Sequence, residues 1–361
     1  MQILYKVVRQ RLIICSMLVV AGVFGTKAQP SFELEYITEF QTNFGRNHNW
    51  VNFLELYGGL PTESISNRWR NGSFHAQLVF TYRIHKNRVI NDLLNYSDIT
   101  KEPLPFSVFK FGYQHRWGRF SLFGGVRNVE EDFFTKPYMS LFTNHTARMG
   151  PTLALNFALA DMPLGAMCLH AEFQITDNLL FKTSLYNGIA HEQERRPLRS
   201  FRVDPQNDGL LSISQLSFTQ NRIDRGNYAF GVAIHTKGEP SWSFFGNIEQ
   251  TLFENNRIEI GLLLQGGFSP LSSNKPFMGE PKCRSFLGIG GHFRGLLSRD
   301  KREAFGIYLA TADFVHTRER ILEITWQYQL INQIAIQPAF HVVQTGSNTR
   351  NVGLLRLIFT I

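Results

Sequence analysis

The chain has 361 residues, which is room for two or three ordinary domains or for one large all-β domain. Its apolar fraction of 43% and mean hydropathy of −0.15 are too polar for a bundle of transmembrane helices, and past residue 28 no apolar run approaches the ~20 residues of a helical span. The formal charge is +8, but Lys6, Arg9, Arg11 and Lys27 fall in the first 28 residues, and without them it drops to +4. No run of five or six like charges is left, which argues against a nucleic-acid partner.

In chain order, the first element is residues 1–28. Lys6, Arg9 and Arg11 precede an apolar run from Leu12 to Phe24, and Thr26-Lys27-Ala28 ends in a small residue. This is the pattern of a secretory signal peptide; the run is too short for an anchor helix. Cys15 sits inside that run behind Ile13 and Ile14, which does not suit a lipid-modified cysteine. The remaining 29–361 read as a single domain with no linker.

From there on the recurring signal is alternation with a period of two, the mark of strands. Seventeen segments carry it: 32–40, 49–57, 72–83, 106–116, 119–127, 150–160, 167–175, 179–187, 209–219, 227–235, 241–251, 257–265, 284–294, 304–313, 319–330, 333–343 and 351–361. Segment 319–330 shows it most clearly. Arg320, Leu322, Ile324, Trp326, Tyr328 and Leu330 share one face; Glu319, Ile321, Glu323, Thr325, Gln327 and Gln329 share the other. Segment 209–219 changes parity between Ile213 and Leu216, which predicts a β-bulge. The two cysteines past residue 28, Cys168 and Cys283, have no neighbours at metal-ligand spacing.

Strands of this length fit a tilted membrane crossing. Rings gather near strand ends (Tyr113 with Trp117, Phe133 with Phe134, Trp326 with Tyr328), as they do at a bilayer interface. The expected fold is therefore an all-β, closed antiparallel transmembrane β-barrel of about 16 strands, apolar outside and polar inside. An even number requires that one of the seventeen segments be no strand, or that one strand be missed. A secreted sugar-binding β-sandwich would also alternate, and is the alternative from another class. The last segment places Leu355, Leu357, Phe359 and Ile361 on one face. It resembles the C-terminal strand read by the barrel-assembly machinery, with Ile361 where an aromatic is usual.

Specific stretches resemble the carbohydrate-selective porins of the OprB family. These are Gly150-Pro151-Thr152-Leu153-Ala154-Leu155-Asn156, Met162 to Met167 followed by Leu169-His170-Ala171-Glu172-Phe173, Leu180 to Gly188, Phe293-Arg294-Gly295-Leu296-Leu297, Leu322 to Tyr328, and Ile336-Gln337-Pro338-Ala339-Phe340. They occur in the family's order from about residue 105 onward. The resemblance implies a barrel of the bacterial outer membrane, monomeric or homotrimeric, with an in-folded constriction and passive, sugar-preferring diffusion. A general diffusion porin is the nearest rival.

A pore selects by width, charge and hydrogen-bonding groups on its wall. Alternation assigns Lys110, Gln114, Arg116, Arg119, Arg127, His170, Glu172, Lys182, Glu249, Glu259, Glu323 and Gln327 to the lumen. Lys110, Arg116, Arg119 and Arg127 form a basic sector on two adjacent strands. Glu130, Glu131 and Asp132 open the long segment 128–149. If that segment folds inward, its acids oppose the basic sector across a narrowing. No Gly-x-Ser-x-Gly elbow, phosphate loop or His-Glu-x-x-His motif occurs, so no catalytic residue, cofactor or metal is expected.

Overall fold

The computed structural model describes residues 29–85, 88–99, 106–190, 197–220, 226–237, 241–271, 282–298 and 300–361. The expected signal peptide, 1–28, lies outside them. The first eight strands are β1 (Ser31–Thr42), β2 (His48–Pro61), β3 (Gly72–Arg83), β4 (Ser107–Trp117), β5 (Phe120–Arg127), β6 (Ala166–Thr176), β7 (Leu179–Asn187) and β8 (Leu210–Thr219). The second eight are β9 (Gly226–His235), β10 (Trp242–Glu254), β11 (Glu259–Phe268), β12 (Cys283–Arg294), β13 (Glu303–Phe314), β14 (Arg318–Ile331), β15 (Ile334–Thr345) and β16 (Asn348–Thr360). Each strand pairs antiparallel with its chain neighbours, and β1 closes on β16 from Glu35↔Thr360 to Thr42↔Gly353. Closure removes the unpaired edges that lipid would not tolerate.

Alternation sorts the side chains between two environments. Outside stand Phe111, Leu169, Phe230, Phe244, Leu287, Leu309, Ile324, Phe340 and Leu355, all exposed. Inside, on the neighbouring positions, Lys110, His170, Asn247, Glu323, His341 and Arg356 are buried. Aromatic clusters mark both rims. Trp69, Phe74 and Tyr113 meet near the β2–β3 turn, and Phe40 with Trp50 and Trp242 with Phe268 sit at the opposite end. The connections are unequal: one end carries two-residue turns such as Gly118–Arg119, the other carries the long connections after β3, β5, β7 and β11. That asymmetry suits short turns on one side of an outer membrane and longer loops on the other.

Two expectations are corrected. Segment 150–160 is not a strand. Pro151–Ala154 forms one helical turn with Pro at its start, where the missing N–H costs nothing. Pro151, Leu153 and Leu155 imitate strand alternation, but the segment lies inside the barrel, its Asn156 amide donating to Ser269 Oγ (2.9 Å) and to the Cys283 carbonyl (2.7 Å). Nor has β8 a bulge. It pairs in unbroken register on both sides, and Leu211, Ile213, Gln215 and Ser217 all face inward. Its first half is apolar because Leu211 and Ile213 pack on Phe133, Phe134 and Leu153, not on water.

Candidate pore constriction

Two connections turn into the barrel: residues 88–99, described between β3 and β4, and the 38 residues 128–165 between β5 and β6. Most of their described side chains are buried. They also meet each other, Asp98 N donating to the Thr143 carbonyl (2.8 Å) and His145 N to the Asn95 carbonyl (3.0 Å). Inward glycines mark close approaches of the wall to the in-folded segment, Gly267 against Thr152 among them. A Cβ on Gly261 would collide with the Tyr138 ring, and one on Gly306 with Phe142 and Leu141.

Irregular backbone inside a barrel leaves amides and carbonyls that need partners. Wall side chains supply them. Glu249 on β10 accepts from the amides of Tyr138 (3.0 Å) and Met139 (2.9 Å). Glu323 on β14 accepts from the amides of Thr143 (2.7 Å) and Asn144 (3.0 Å), and from Thr143 Oγ1 (3.0 Å). Glu319 accepts from Leu93 and Leu94, at 2.7 Å each. The amides of Gln215, Gln265 and Gln337 donate to the carbonyls of Phe133, Ala147 and Leu141. A carboxylate can accept from two amides at once, and such charge-assisted bonds are about twice as strong as neutral ones. Glu249 and Glu323 face inward, where their hydrogen bonds hold the segment in place.

The first turn of segment 128–165 is a short helix, Val129–Phe133, capped by Asn128, whose side chain accepts from Glu130 N (2.7 Å) and Glu131 N (3.2 Å). Its acids then separate. Glu131 pairs with Lys110 at 2.9 Å. Asp132 pairs with Arg127 and accepts from Tyr186 Oη (2.8 Å), while its carbonyl accepts from Lys182 Nζ (3.0 Å). Arg127 also lies over the Phe123 ring, 4.7 Å from its centroid. Lys182 and His170 both approach Glu172, at 3.5 Å and 3.3 Å. Arg116 and Arg119 do not join this group. Both are exposed at the β4–β5 turn end, where Arg119 pairs with Asp177 at 3.3 Å. The basic sector that meets the segment is thus Lys110 with Arg127, because Arg116 and Arg119 stand at the turn end of β4 and β5, several residues along the strands from Lys110 and Arg127.

Glu130 turns the other way, to Arg148 Nη1 at 3.4 Å. Arg148 bonds Asp98 (3.0 Å), Asp98 pairs with Arg356 of β16, and Arg356 pairs with Glu39 of β1. This chain of charges ties both in-folded segments to the strand pair that closes the barrel. Burial opposes the charge on Asp98, but Arg356 and Arg148 prevail and hold its carboxyl below the ordinary range. Burial pushes the Glu130 carboxyl up, against His145 and Arg148. Arg356 lies on the face of the last strand opposite Leu355 and Leu357; nothing in the sequence singled out Asp98 or Arg148, which lie in loops without periodicity.

Between segment 128–165 and the inner face of β11–β16 and β1 lies a polar space of about 500 Å³. Arg148, His292, Arg294 and Arg356 face it with Glu35 and Glu259, and Gln327 and Gln337 contribute amides. Tyr138 borders it, stacked on His292 with centroids 4.4 Å apart and donating to Glu259 (3.0 Å). Of the residues expected to line the lumen, Glu259 and Gln327 border this space.

No protein-family model and no curated protein matches the chain. Solved structures do. OprB of Pseudomonas putida at high pH is 11% identical over 92% of this chain and 94% of its own, with a TM-score of 0.77. The low-pH form of that protein is 12% identical over 92% of each chain, with a TM-score of 0.62. An engineered variant of the Rh. blastica porin is 10% identical over 92% of this chain and all of its own, with a TM-score of 0.58. In order of strands, closure and span, the chain has the fold of a porin.

Proposed function

We propose that the chain is a porin of the bacterial outer membrane, a passive channel rather than an enzyme, through which small polar solutes diffuse. The observation that carries this reading is the wall-anchored segment 128–165, which leaves a polar opening beside the inner faces of β11–β16. Sugars are the favoured cargo. A sugar offers hydroxyls that donate and accept, and ring faces that pack on aromatic rings. Arg294, Arg356, Glu35, Glu259, Gln327 and Gln337 present both kinds of partner around Tyr138 and His292. The resemblance of residues 150–188 and 293–340 to the carbohydrate-selective porins supports the same cargo. Lys110, Arg127, Glu131, Asp132, His170, Glu172 and Lys182 set the charge on the opposite side of the segment.

The test is conductance in planar bilayers with neutral sugars added. A water-filled pore gives stepwise ion conductance, and sugar preference gives concentration-dependent block. Conductance without block by any of a panel of mono- and disaccharides makes the protein a general diffusion pore. No conductance, with recovery in the soluble fraction, overturns the reading.

A further inference from the structure

We propose that Glu130, His145 and Asp161 form a binding site for one divalent transition-metal cation, zinc in kind, that staples the in-folded segment to itself. The three residues come from the start, middle and end of segment 128–165, and one ligand atom of each lies within 4.8 Å of the others. All three are at least 95% buried. His145 Nε2 is 3.2 Å from Asp161 Oδ2. Asp161 Oδ1 accepts from the Met162 amide (2.7 Å). Glu130 Oε1 faces Arg148, but Oε2 is buried without a hydrogen-bond partner. A carboxylate oxygen so placed is costly unless something positive reaches it.

Imidazole beside two carboxylates suits zinc better than calcium or magnesium, which prefer all-oxygen sets. Three protein ligands with bonds of ~2.0–2.2 Å leave a fourth tetrahedral position for water. The site stands whatever the pore carries. Its rival is a metal-free cluster in which His145 and Asp161 pair with each other.

The experiment uses full-length protein in detergent, stripped with chelator, dialysed against zinc and analysed for bound metal. One zinc per chain is expected, with at least a tenfold weaker affinity in Glu130→Gln, His145→Gln and Asp161→Asn variants that still show heat-modifiable migration. Cobalt in place of zinc should give the visible absorption of a nitrogen-ligated tetrahedral ion. That spectrum, taken on the unmutated protein, decides the matter if the variants do not fold. No retained zinc, zinc retained equally by all three variants, preference for calcium, or a cobalt spectrum like that of the hydrated ion would each overturn the site.

Discussion

Glu323→Ala is the sharpest test of the anchoring scheme. Glu323 is fully buried and accepts from two amides and one hydroxyl of segment 128–165. Alanine leaves the amides of Thr143 and Asn144 buried and unpaired, at ~1–3 kcal/mol each. Together that is about 2–6 kcal/mol, or roughly thirty-fold to over ten-thousand-fold in the ratio of seated to unseated segment. Gln337, which donates to the Leu141 carbonyl, remains, so the stretch near 141–146 should open while the barrel persists. Glu323→Gln keeps one acceptor oxygen and should lie between alanine and the parent. Two assays read the outcome. Single-channel recordings should show a noisier and larger conductance, and trypsin should cut after Arg148, which the seated segment protects. Parent-like conductance with unchanged trypsin resistance would refute the idea that wall carboxylates hold the constriction.

The remaining predictions test the faces and the charges. Ile324→Arg puts a charge on the lipid face, at ~2–4 kcal/mol near the bilayer midplane, whereas Gln327→Arg adds one beside the polar space; heat-modifiable yield should fall for the first and hold for the second, and equal yields would mean the faces are assigned wrongly. Glu131→Gln frees Lys110 of its 2.9 Å partner and should shift reversal potentials toward anions with little loss of yield. Asp132→Asn, which strips Arg127 of its partner inside the wall, should cost yield instead, because a buried cation left unpaired destabilises by about 3–5 kcal/mol. Asp98, held below the ordinary carboxylate range by Arg356 and Arg148, contributes stability above that range and loses it as pH falls through its own lowered value; an Asp98→Asn variant should unfold at a lower temperature than the parent near neutral pH, and the gap should narrow in strong acid.

All sixteen strands were legible, because a wall between lipid and lumen imposes period two on every crossing. Strand β3 and strand β7 were located to the residue, 72–83 and 179–187. What misled was a segment that never crosses. Pro151, Leu153 and Leu155 alternate by the spacing of one helical turn packed against the inner wall, and periodicity over five residues cannot tell that from a strand. The site was partly legible. Glu249, Glu259, Glu323 and Gln327 were assigned inward from parity alone, but parity says which side a carboxylate faces and not what it meets. Asp98, Asn144, Arg148 and Asp161 carry no parity at all, since loops have no period.

A water-filled barrel should be polar at every inward position, and this one is not. Leu211 and Ile213 on β8, Leu263 on β11, Tyr308 and Ala310 on β13, Ile321 on β14, Val343 on β15 and Val352 on β16 all face inward and are buried. Each belongs to an apolar cluster completed by the in-folded segments: Phe133, Phe134 and Leu153 for β8, and Leu94, Tyr96, Met139 and Phe142 for the others. The parity change between Ile213 and Leu216, which suggested a bulge, comes from one such footprint at Leu211 and Ile213. Burying a Leu or Ile side chain is worth ~1.5–3 kcal/mol, and in a wet lumen that gain would be missing. An apolar residue at an inward position therefore marks a place where something other than water covers the wall. Read strand by strand, these exceptions trace the path of the in-folded segments around the barrel, and what they leave uncovered, along Gln327, Gln337 and Arg356, borders the polar space that Tyr138 and Arg148 face.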